Sequence, residues 1–524
     1  MHCTCVRHTE LPNTSRLMAD VLYNPERTQG FYPHWRRDLE AYRAAAAQIE
    51  FSEEQRARLV DALRVRNSGS AALERLARPG TVAVMTGQQV GLFSGPAYTV
   101  YKALHAAKLA AWLTENGIEA VPVFWLATED HDFAEVNHAW VYGADHLPKK
   151  LEMRRAATAQ PVGEVTLASP PVGELRHLLQ PMPFGDEVAD AVEECYRAGS
   201  TMGKAFGELL ARIGQGFDIL QVDPMLPAFR ELAAPALKAA VEHGPELTER
   251  VLERNKELVA AGYHAQVHME EQTSLVFLLE NGKRLGLRRN GSEYGQNGRT
   301  FTAAELAGRA ASLSPNALLR PVVQDSMLPT VAYVGGPAEV AYLAQSAAIY
   351  EVLLGRQPVA VPRAGFTILS ERSWELTQRY GLQLSDFFSG EDVLCERVAS
   401  RLVPPGLHDR VRDAAERVDG AIGGLQRELL AFDPTLGKAL ERSSRKIHYQ
   451  IEKMQAKTGR EAMRRNARAQ ADAASLYGLI YPERHLQERL YSYLPILAEH
   501  GWDLTGRVYD ALQLDCGDHR LMIV

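Results

Sequence analysis

The feature that most constrains the fold is an apolar run at residues 121–127, which changes at once into a cluster of ionisable side chains. The run reads Val-Pro-Val-Phe-Trp-Leu-Ala and follows a segment with a helix-like pattern. An apolar stretch of this length predicts a strand buried in a parallel sheet. Ligands of an open α/β sheet bind beyond the carboxyl ends of its strands. The polar side chains predicted to lie there are Glu129, Asp130, His131, Asp132, Glu135, Asn137 and His138.

This cluster permits three interpretations. Its carboxylates and imidazole are suited to bind a divalent cation. They are equally suited to form a general acid–base pair, in which a carboxylate fixes the imidazole tautomer. Capping of a following helix would account for Asp130 or Asp132 alone. Because capping does not account for four ionisable neighbours in a row, we expect a functional site here.

A strand, a loop and a helix precede this strand. Residues 81–85 predict a buried strand, and an amphipathic helix is predicted from Pro96 to about Asn116. The glycines of the loop at 86–96 permit close approach of an anion to the backbone at a helix N-terminus; they are Gly87, Gly91 and Gly95. The loop matches neither G-x-G-x-x-G nor a P-loop, so anion binding and a merely tight turn both remain open. The whole unit predicts a Rossmann-like parallel sheet.

A second polar set lies at the predicted ends of later elements. It consists of Gln324, Asp325, Tyr333, Gly335, Gly336, Glu339 and Arg363. Arg363 follows a predicted strand at 359–362 and has the geometry to clamp a carboxylate with two parallel hydrogen bonds. Taken singly, each of these residues is also explained by an ordinary hydrogen bond or a helix cap.

The chain is predicted to be an α/β protein with a projecting helical arm. Apolar residues within 404–472 recur at alternating four- and three-residue spacings, interrupted by a helix start at Asp433-Pro434. This predicts an antiparallel coiled-coil arm that joins two copies of the chain, with packing against the core as the alternative. We assign residues 1–180 to the first part of a Rossmann-like core, 181–260 to a helical connecting insertion, 261–385 to the second part of the core with a smaller insertion near 281–315, 386–475 to the arm and 476–524 to the C-terminal part of the core.

Composition excludes several classes of protein. A net charge of −7 gives no general attraction to nucleic acid or to an anionic membrane. No apolar run approaches the roughly eighteen residues of a membrane span. Five cysteines in 524 residues do not make a disulfide framework, so we expect a cytoplasmic protein. His2, Cys3, Cys5 and His8 suggest a metal site or, as we expect, a frayed N-terminal tail.

Six segments of the chain resemble one known family, the cysteine ligases (BshC) of bacillithiol biosynthesis. They span nearly the whole chain and occur in the expected order. They are Thr-Gly-Gln-Gln-Val-Gly-Leu-Phe-Ser-Gly-Pro-Ala-Tyr-Thr-Val-Tyr-Lys at 86–102, the run at 121–138, Arg-Pro-Val-Val-Gln-Asp at 320–325, Tyr-Val-Gly-Gly-Pro-Ala-Glu-Val-Ala-Tyr at 333–342, Val-Pro-Arg at 361–363 and Pro-Glu-Arg-His-Leu-Gln-Glu-Arg at 482–489. The N-terminus with its cysteines and the region 145–260 depart from the resemblance.

The resemblance implies a Rossmann-like core related in shape to nucleotidyltransferases and class I aminoacyl-tRNA synthetases, and a homodimer formed through the arm. It also implies ligation of cysteine to the amine of glucosaminyl-malate after activation of the cysteine carboxyl as an acyl phosphate or an adenylate, with ATP or ADP as the nucleotide and no metal expected. The expected catalytic groups are His131, Asp130, Asp132 and Glu129. The expected substrate- or anion-binding residues are Gly87, Gln88, Gln89, Gly91, Ser94, Gly95, Tyr98, Asn137, His138, Gln324, Asp325, Tyr333, Gly335, Gly336, Glu339 and Arg363.

Two other functions compete with this one. The predicted arm favours a non-catalytic dimeric scaffold or a nucleotide-sensing partner of the pathway. The acids and imidazole at Glu129, Asp130 and His131 favour a metal-dependent hydrolase. We expect the protein neither to bind nucleic acid nor to span a membrane.

Overall fold

The computed structural model describes residues 2–153, 159–296 and 298–524. The chain forms two compact units. The first contains the residues up to Ala144, together with Lys149–Ile368 and Gln487–Met522. The second contains Asp145–Pro148, Leu369–Leu486 and Ile523–Val524. The first unit is therefore assembled from separate stretches of chain.

Strands and helices are numbered here in chain order. The strands are β1 (His2–Val6), β2 (Val82–Gln89), β3 (Ala120–Ala127), β4 (His138–Tyr142), β5 (Pro148–Glu152), β6 (Leu220–Val222), β7 (Thr273–Glu280), β8 (Lys283–Asn290), β9 (Glu293–Gln296), β10 (Arg299–Thr302), β11 (Leu313–Pro315), β12 (Thr330–Gly335), β13 (Val359–Pro362), β14 (Gly365–Leu369) and β15 (His519–Ile523). The helices are α1 (Arg16–Tyr23), α2 (Leu39–Ala47), α3 (Glu53–Arg64), α4 (Ala71–Leu76), α5 (Tyr98–Glu115), α6 (Phe133–Val136), α7 (Val172–Leu179), α8 (Gly185–Cys195), α9 (Met202–Ile213), α10 (Pro227–Glu242), α11 (Gly244–Ala260), α12 (Ala303–Ala307), α13 (Arg320–Met327), α14 (Pro337–Leu353), α15 (Glu371–Tyr380), α16 (Leu384–Phe388), α17 (Glu391–Leu402), α18 (Pro405–Phe432), α19 (Pro434–Arg464), α20 (Ala467–Ile480), α21 (Gln487–Leu490), α22 (Leu494–His500) and α23 (Leu504–Ala511). Within the described ranges, no helix has the length and apolar character needed to cross a membrane.

A five-stranded parallel sheet forms the centre of the first unit, in the order β13-β12-β2-β3-β6. Successive residues of a strand face opposite sides of a sheet. In β2, Ala83 and Met85 pack into one buried apolar cluster, whereas Val82 and Val84 pack into another. Because both faces are covered, residues 82–85 of β2 are all apolar. The Rossmann-like parallel sheet predicted from the sequence is confirmed.

The loop between β2 and α5 is shorter than predicted. Strand β2 continues through Gln89, and α5 begins at Tyr98 rather than at Pro96. The ladder extends because Gly87 pairs in register with Trp125 of β3. A Cβ atom at Gly87 would lie 2.9 Å from the Trp125 Cβ and carbonyl oxygen, so this close pairing requires glycine. Gly87, Gln88 and Gln89, which were predicted to lie in the loop, therefore belong to strand β2.

The N-terminal residues form a strand, so the prediction of a frayed tail is wrong. Strand β1 joins β15 and β14 in a three-stranded sheet. The Tyr23 hydroxyl accepts a hydrogen bond from the His8 backbone N–H at 2.7 Å and donates one to the Asp518 carboxylate at 2.6 Å. Two ends of the chain are thus held together within the first unit. Its other sheets are the antiparallel β10-β9-β8-β7-β11 and the pair β4-β5.

The second unit contains the predicted antiparallel hairpin, formed by α18 and α19. Asp433 caps α19 by accepting a hydrogen bond from the Thr435 N–H at 2.7 Å. Near the turn, a Cβ atom at Gly437 would lie 2.3 Å from the Leu430 side chain, so the two helices approach closely there. The C-terminal coiled coil expected from the apolar spacing is confirmed.

Candidate active site

A cavity of about 660 Å³ opens at the carboxyl ends of β2, β3 and β12. Twelve of the candidate residues predicted from the sequence line it. They are Gly87, Gln88, Gln89, Tyr98, Glu129, Asp130, His131, Asp132, Tyr333, Gly336, Glu339 and Arg363. Residues that were not among the candidates complete the lining, including Arg284, Arg320, Tyr342 and Arg489. The cavity therefore combines acids, one imidazole and several guanidinium groups.

Asp130 is held as a carboxylate by groups that converge on it from two strands. The Gln89 side-chain amide donates to its Oδ2 at 2.7 Å, and the His131 backbone N–H donates to its Oδ1 at 2.7 Å. The Arg284 guanidinium lies 3.6 Å from Oδ1. Burial alone would raise the pKa of Asp130, but the Gln89 hydrogen bond and the Arg284 charge outweigh it, so the pKa is lowered. Asp130 is therefore an anion and a weak base at neutral pH.

His131 is a neutral imidazole next to a guanidinium. Its Nδ1 lies 3.1 Å from Arg284 Nη1, and its ring lies 5.5 Å from the Phe277 ring. A guanidinium only donates, so Nδ1 is the acceptor and Nε2 carries the ring hydrogen. Burial and then the Arg284 charge lower the pKa of His131 from its ordinary value of 6.5. At neutral pH, the ring is therefore unprotonated, and Arg284 engages the lone pair of its Nδ1.

Glu129 and Asp132, the two other acids expected to be catalytic, have structural partners. Glu129 is buried, and its Oε2 accepts from the Ser314 hydroxyl at 2.8 Å and lies 3.4 Å from Arg230 Nη1. Asp132 caps α6, accepting from the Glu135 N–H at 3.4 Å. The capping interpretation thus holds for Asp132. In the described part of the chain, no group of three or more His, Cys, Asp or Glu side chains is arranged to hold a metal ion.

Lys102 joins the end of β2 to the start of α14. Its side chain is fully buried, and its Nζ donates to the Gly87 carbonyl, to Gln88 Oε1 at 3.2 Å and to Glu339 Oε2 at 2.6 Å. Glu339 also accepts from the Gly336 N–H at 2.7 Å, which caps α14. Burial lowers the pKa of Lys102, and the Glu339 carboxylate opposes this effect. This ion pair fixes two walls of the cavity.

Arg320 is oriented by hydrogen bonds to three side chains. It donates to the hydroxyls of Tyr333 and Tyr342 at 3.0 and 2.9 Å, and to Gln324 Oε1 at 2.9 Å. Gln324 in turn donates to Asp325 Oδ1 at 2.9 Å. Gln324 and Asp325 are buried and lie outside the cavity lining, so they support Arg320 from behind. Gln324 and Asp325 thus hold the Arg320 guanidinium in position at the cavity wall.

Arg363 clamps a carboxylate of the protein itself. Its Nη2 and Nη1 donate to the two carboxylate oxygens of Glu488 at 2.6 and 3.0 Å, and both side chains are buried. Burial would raise the pKa of Glu488, but the Arg363 charge outweighs it and lowers the pKa. The Arg363 guanidinium also lies 4.9 Å from the centre of the Tyr98 ring. The bidentate fork predicted for a substrate carboxylate is therefore occupied by Glu488.

The remaining candidates lie outside the lining of this cavity. They are Gly91, Ser94, Gly95, Asn137, His138 and Gly335. The Tyr196 hydroxyl donates to the Gly91 carbonyl at 3.3 Å and lies 3.5 Å from the Ser94 nitrogen, which closes the loop on itself. Asn137 donates to Glu152 Oε1 at 3.1 Å, on the neighbouring strand β5. These residues stabilise the frame around the cavity.

Three cationic residues of the cavity were missed as candidates, for different reasons. Arg320 and Arg489 stand inside segments on which the family resemblance rests, so the resemblance was an available signal. Arg284 stands in the segment assigned to a small insertion, where no pattern marked it. It reaches the cavity only because β8 pairs with β7 in the antiparallel sheet.

Comparison with known proteins agrees with this architecture. The family described as "Bacillithiol biosynthesis BshC, N-terminal Rossmann-like domain" matches residues 1–364, and the "C-terminal coiled-coil domain" of the same family matches residues 366–524. Proteins named "Putative cysteine ligase BshC" are similar to the chain along its length. The relative from Solibacter usitatus is 68% identical over 100% of both chains, that from Koribacter versatilis 35% over 99% of both, and that from Salinibacter ruber 29% over 97% of this chain and 96% of its own.

Both domain matches, together with the full-length relatives, cover the cavity and the coiled coil. The segments that resembled the family in the sequence supply most of the cavity lining. The chain therefore belongs to the BshC family of bacillithiol biosynthesis.

Proposed function

We propose that this chain is a cytoplasmic ligase that joins the carboxyl group of cysteine to the glucosamine amine of glucosaminyl-malate. Relatives named as cysteine ligases support cysteine as the substrate. The observation that carries the proposal is the pairing of a neutral imidazole with guanidinium groups in one cavity at the sheet edge. Amide formation needs both, because carboxylates must be bound and the attacking amine must lose a proton.

Arg284, Arg320 and Arg489 are the groups suited to bind substrate carboxylates. Arg489 is exposed at the cavity, and its side chain makes no hydrogen bond or ion pair among the described residues. Because Glu488 occupies Arg363, we transfer the predicted binding of the malate carboxylates from Arg363 to these three residues. A guanidinium forms two parallel hydrogen bonds to a carboxylate, which also fixes the orientation of the bound group.

A carboxylate must be activated before an amine attacks it. A nucleoside triphosphate such as ATP would supply the leaving group, and the Gln88 amide together with Arg489 would be suited to hold its anionic oxygens. Lys102 is not counted among them, because its ammonium group is buried and already bonded to Glu339. The chain's own contribution is to bind, orient and shield the reacting groups.

His131 is proposed as the acceptor of the amine proton. Its Nδ1 lone pair is engaged by Arg284, so a carboxylate that recruits Arg284 would release this nitrogen. The amine nitrogen then forms the bond to the carbonyl carbon, its proton passes to Nδ1, and the leaving group departs with the electrons of the broken bond. Binding of the anionic substrate and activation of the base are coupled in this way.

The test is product formation by the purified full-length protein. It is incubated with cysteine and glucosaminyl-malate, with and without ATP, and the amide product is detected by mass spectrometry. We expect product with the native chain and its loss in His131→Ala. His138→Ala is the matched control, because His138 lies outside the cavity lining and its loss should leave turnover unchanged. Absence of product under every condition would favour the non-catalytic scaffold.

We also propose that the coiled coil forms a homodimer. Its helices expose large apolar side chains, which a second copy would cover. They are Leu407, Leu425, Leu430, Phe432, Leu436, Ile447, Tyr449 and Met454. Light scattering should give the mass of two chains, and Ile447→Glu should reduce it to one. A mass that Ile447→Glu leaves unchanged would contradict this interface.

A further inference from the structure

Cysteines from the two ends of the chain lie side by side in the first unit. Cys5 stands in β1, and Cys516 stands just before β15, 511 residues later. Their sulfur atoms are 3.9 Å apart, and the Cys516 thiol is positioned to donate a weak hydrogen bond to Cys5. Cys5 is exposed and Cys516 is partly exposed, so both are accessible to small reagents.

The backbone around these thiols is held in place by other contacts. Strands β1 and β15 are neighbours in one sheet. The Tyr23 hydroxyl links the His8 N–H to the Asp518 carboxylate, which lies two residues from Cys516. A disulfide needs the two sulfur atoms at about 2 Å. The two side chains must therefore bring their sulfur atoms closer than the present 3.9 Å to form the bond.

A buried cation lies beside the thiols. The Arg520 guanidinium donates to the Cys516 carbonyl at 3.4 Å, and its Nη1 is buried and has no hydrogen-bond partner among the described residues. Burial raises the pKa of the Cys3 and Cys5 thiols, and the Arg520 charge lessens this rise without reversing it. Cys3 and Cys5 are two residues apart in a strand, so both face the same side of the sheet. A thiolate formed on this side has a cation available to stabilise it.

We propose that Cys5 and Cys516 are a reversible modification site, which a hydroperoxide oxidises to an intramolecular disulfide. One thiolate attacks the terminal peroxide oxygen and becomes a sulfenic acid, and the O–O bond breaks to release an alcohol after protonation, or water when the oxidant is hydrogen peroxide. The second thiol then attacks that sulfur, forms the S–S bond and releases a water molecule. Two molecules of a low-molecular-weight thiol reverse the reaction and leave as their own disulfide. The site does not depend on the proposed ligase activity, although the product of that activity would belong to this class of thiol.

The position of the crosslink connects it to the cavity wall. His519 follows Cys516 by three residues, and its Nε2 is 2.9 Å from the Thr367 hydroxyl. A Cβ atom at Gly365 would lie 2.7 Å from His519 Nδ1 and 3.1 Å from Glu488 Oε2, so this packing is tight. Glu488 in turn holds Arg363. Closing the disulfide is therefore expected to slow hydrogen exchange of the amides in β15.

The experiment maps the thiols of the full-length protein. The reduced protein is treated with one equivalent of hydrogen peroxide, its free thiols are alkylated, and it is digested without reductant. We expect a peptide pair joined through Cys5 and Cys516, lighter by two hydrogens than the separate peptides, and its loss after treatment with a small thiol. Cys395 is partly exposed and Cys195 is buried, so both should be alkylated once the treated protein is denatured in the presence of the alkylating reagent.

Cys516→Ser should abolish the joined pair, whereas Cys395→Ser is the matched control and should retain it. The mapping of the native chain decides the question even if a variant fails to fold. Alkylation of all five cysteines after peroxide, or a crosslink between two copies of the chain, would overturn the proposal. So would a disulfide between Cys3 and Cys5.

Discussion

The buried ion pair between Lys102 and Glu339 makes a quantitative prediction about the stability of the cavity wall. In Lys102→Met, the side chain keeps its approximate volume but loses the ammonium group. The Gly87 carbonyl and Gln88 Oε1 then lose a donor, and the Glu339 carboxylate keeps only the Gly336 N–H and the Tyr333 hydroxyl. We expect the pKa of Glu339 to rise, because the Lys102 charge is the main group that lowers it against burial.

The expected loss of stability follows from the burial of the pair. Removing one partner of a buried ion pair costs about 3–5 kcal/mol, because an uncompensated charge remains. The Glu339 side chain is 19% exposed, which places this case near the lower limit, at about 3 kcal/mol. In the double variant Lys102→Met/Glu339→Gln, neither member of the pair carries a charge. Its loss should therefore be smaller than the sum of the two single losses, by about 1–3 kcal/mol.

Native-state hydrogen exchange of the amides in β2 and β12 measures these free energies strand by strand. Lys150→Met is the matched control. Lys150 forms a surface pair with Glu152 at 3.0 Å, with side chains 38% and 50% exposed, and such pairs contribute less than about 1 kcal/mol. A loss below about 1 kcal/mol in Lys102→Met, or single losses that add within about 0.5 kcal/mol, would refute the reasoning.

Three other predictions test the site and its frame. Arg284→Gln should move the acid limb of the pH–rate profile to higher pH, because the Arg284 charge lowers the pKa of His131; an unmoved limb would remove His131 as the proton acceptor. Burial lowers the pKa of His105 to about 3, so the unfolded chain binds a proton there that the folded chain does not. The contribution of His105 to the free energy of unfolding is complete above pH 6.5 and decreases, by at most about 1.4 kcal/mol per pH unit, as the pH falls toward 3. In His105→Gln, this part of the pH dependence should disappear from urea-unfolding curves. Gly87→Ala should lower the unfolding free energy by about 1–3 kcal/mol through overpacking, whereas Gly173→Ala, with nothing within 4 Å of the added Cβ, should not lower the melting temperature.

The sequence predicted the elements that depend on local pattern. The apolar run at 121–127 became β3, and the seven-residue periodicity of the arm became α18 and α19, with Asp433 as the cap. Both signals are carried by neighbouring residues, so no knowledge of the tertiary structure was needed. The start of α5 was misplaced, because the extension of β2 depends on Trp125, which is distant in the sequence.

The sequence by itself determined that acids and an imidazole lie at the end of a buried strand, and that a parallel sheet brings other strand ends beside them. Tertiary structure alone decided which groups neutralise one another. Arg363 is bound to Glu488, and Arg284 arrives from an antiparallel sheet to set the protonation of Asp130 and His131. Electrostatic interactions act over a few ångströms in space, whatever the separation along the chain. For that reason, the pattern of residue types located the cavity, but only the fold decided the ion-pair partner and the protonation state of each ionisable group within it.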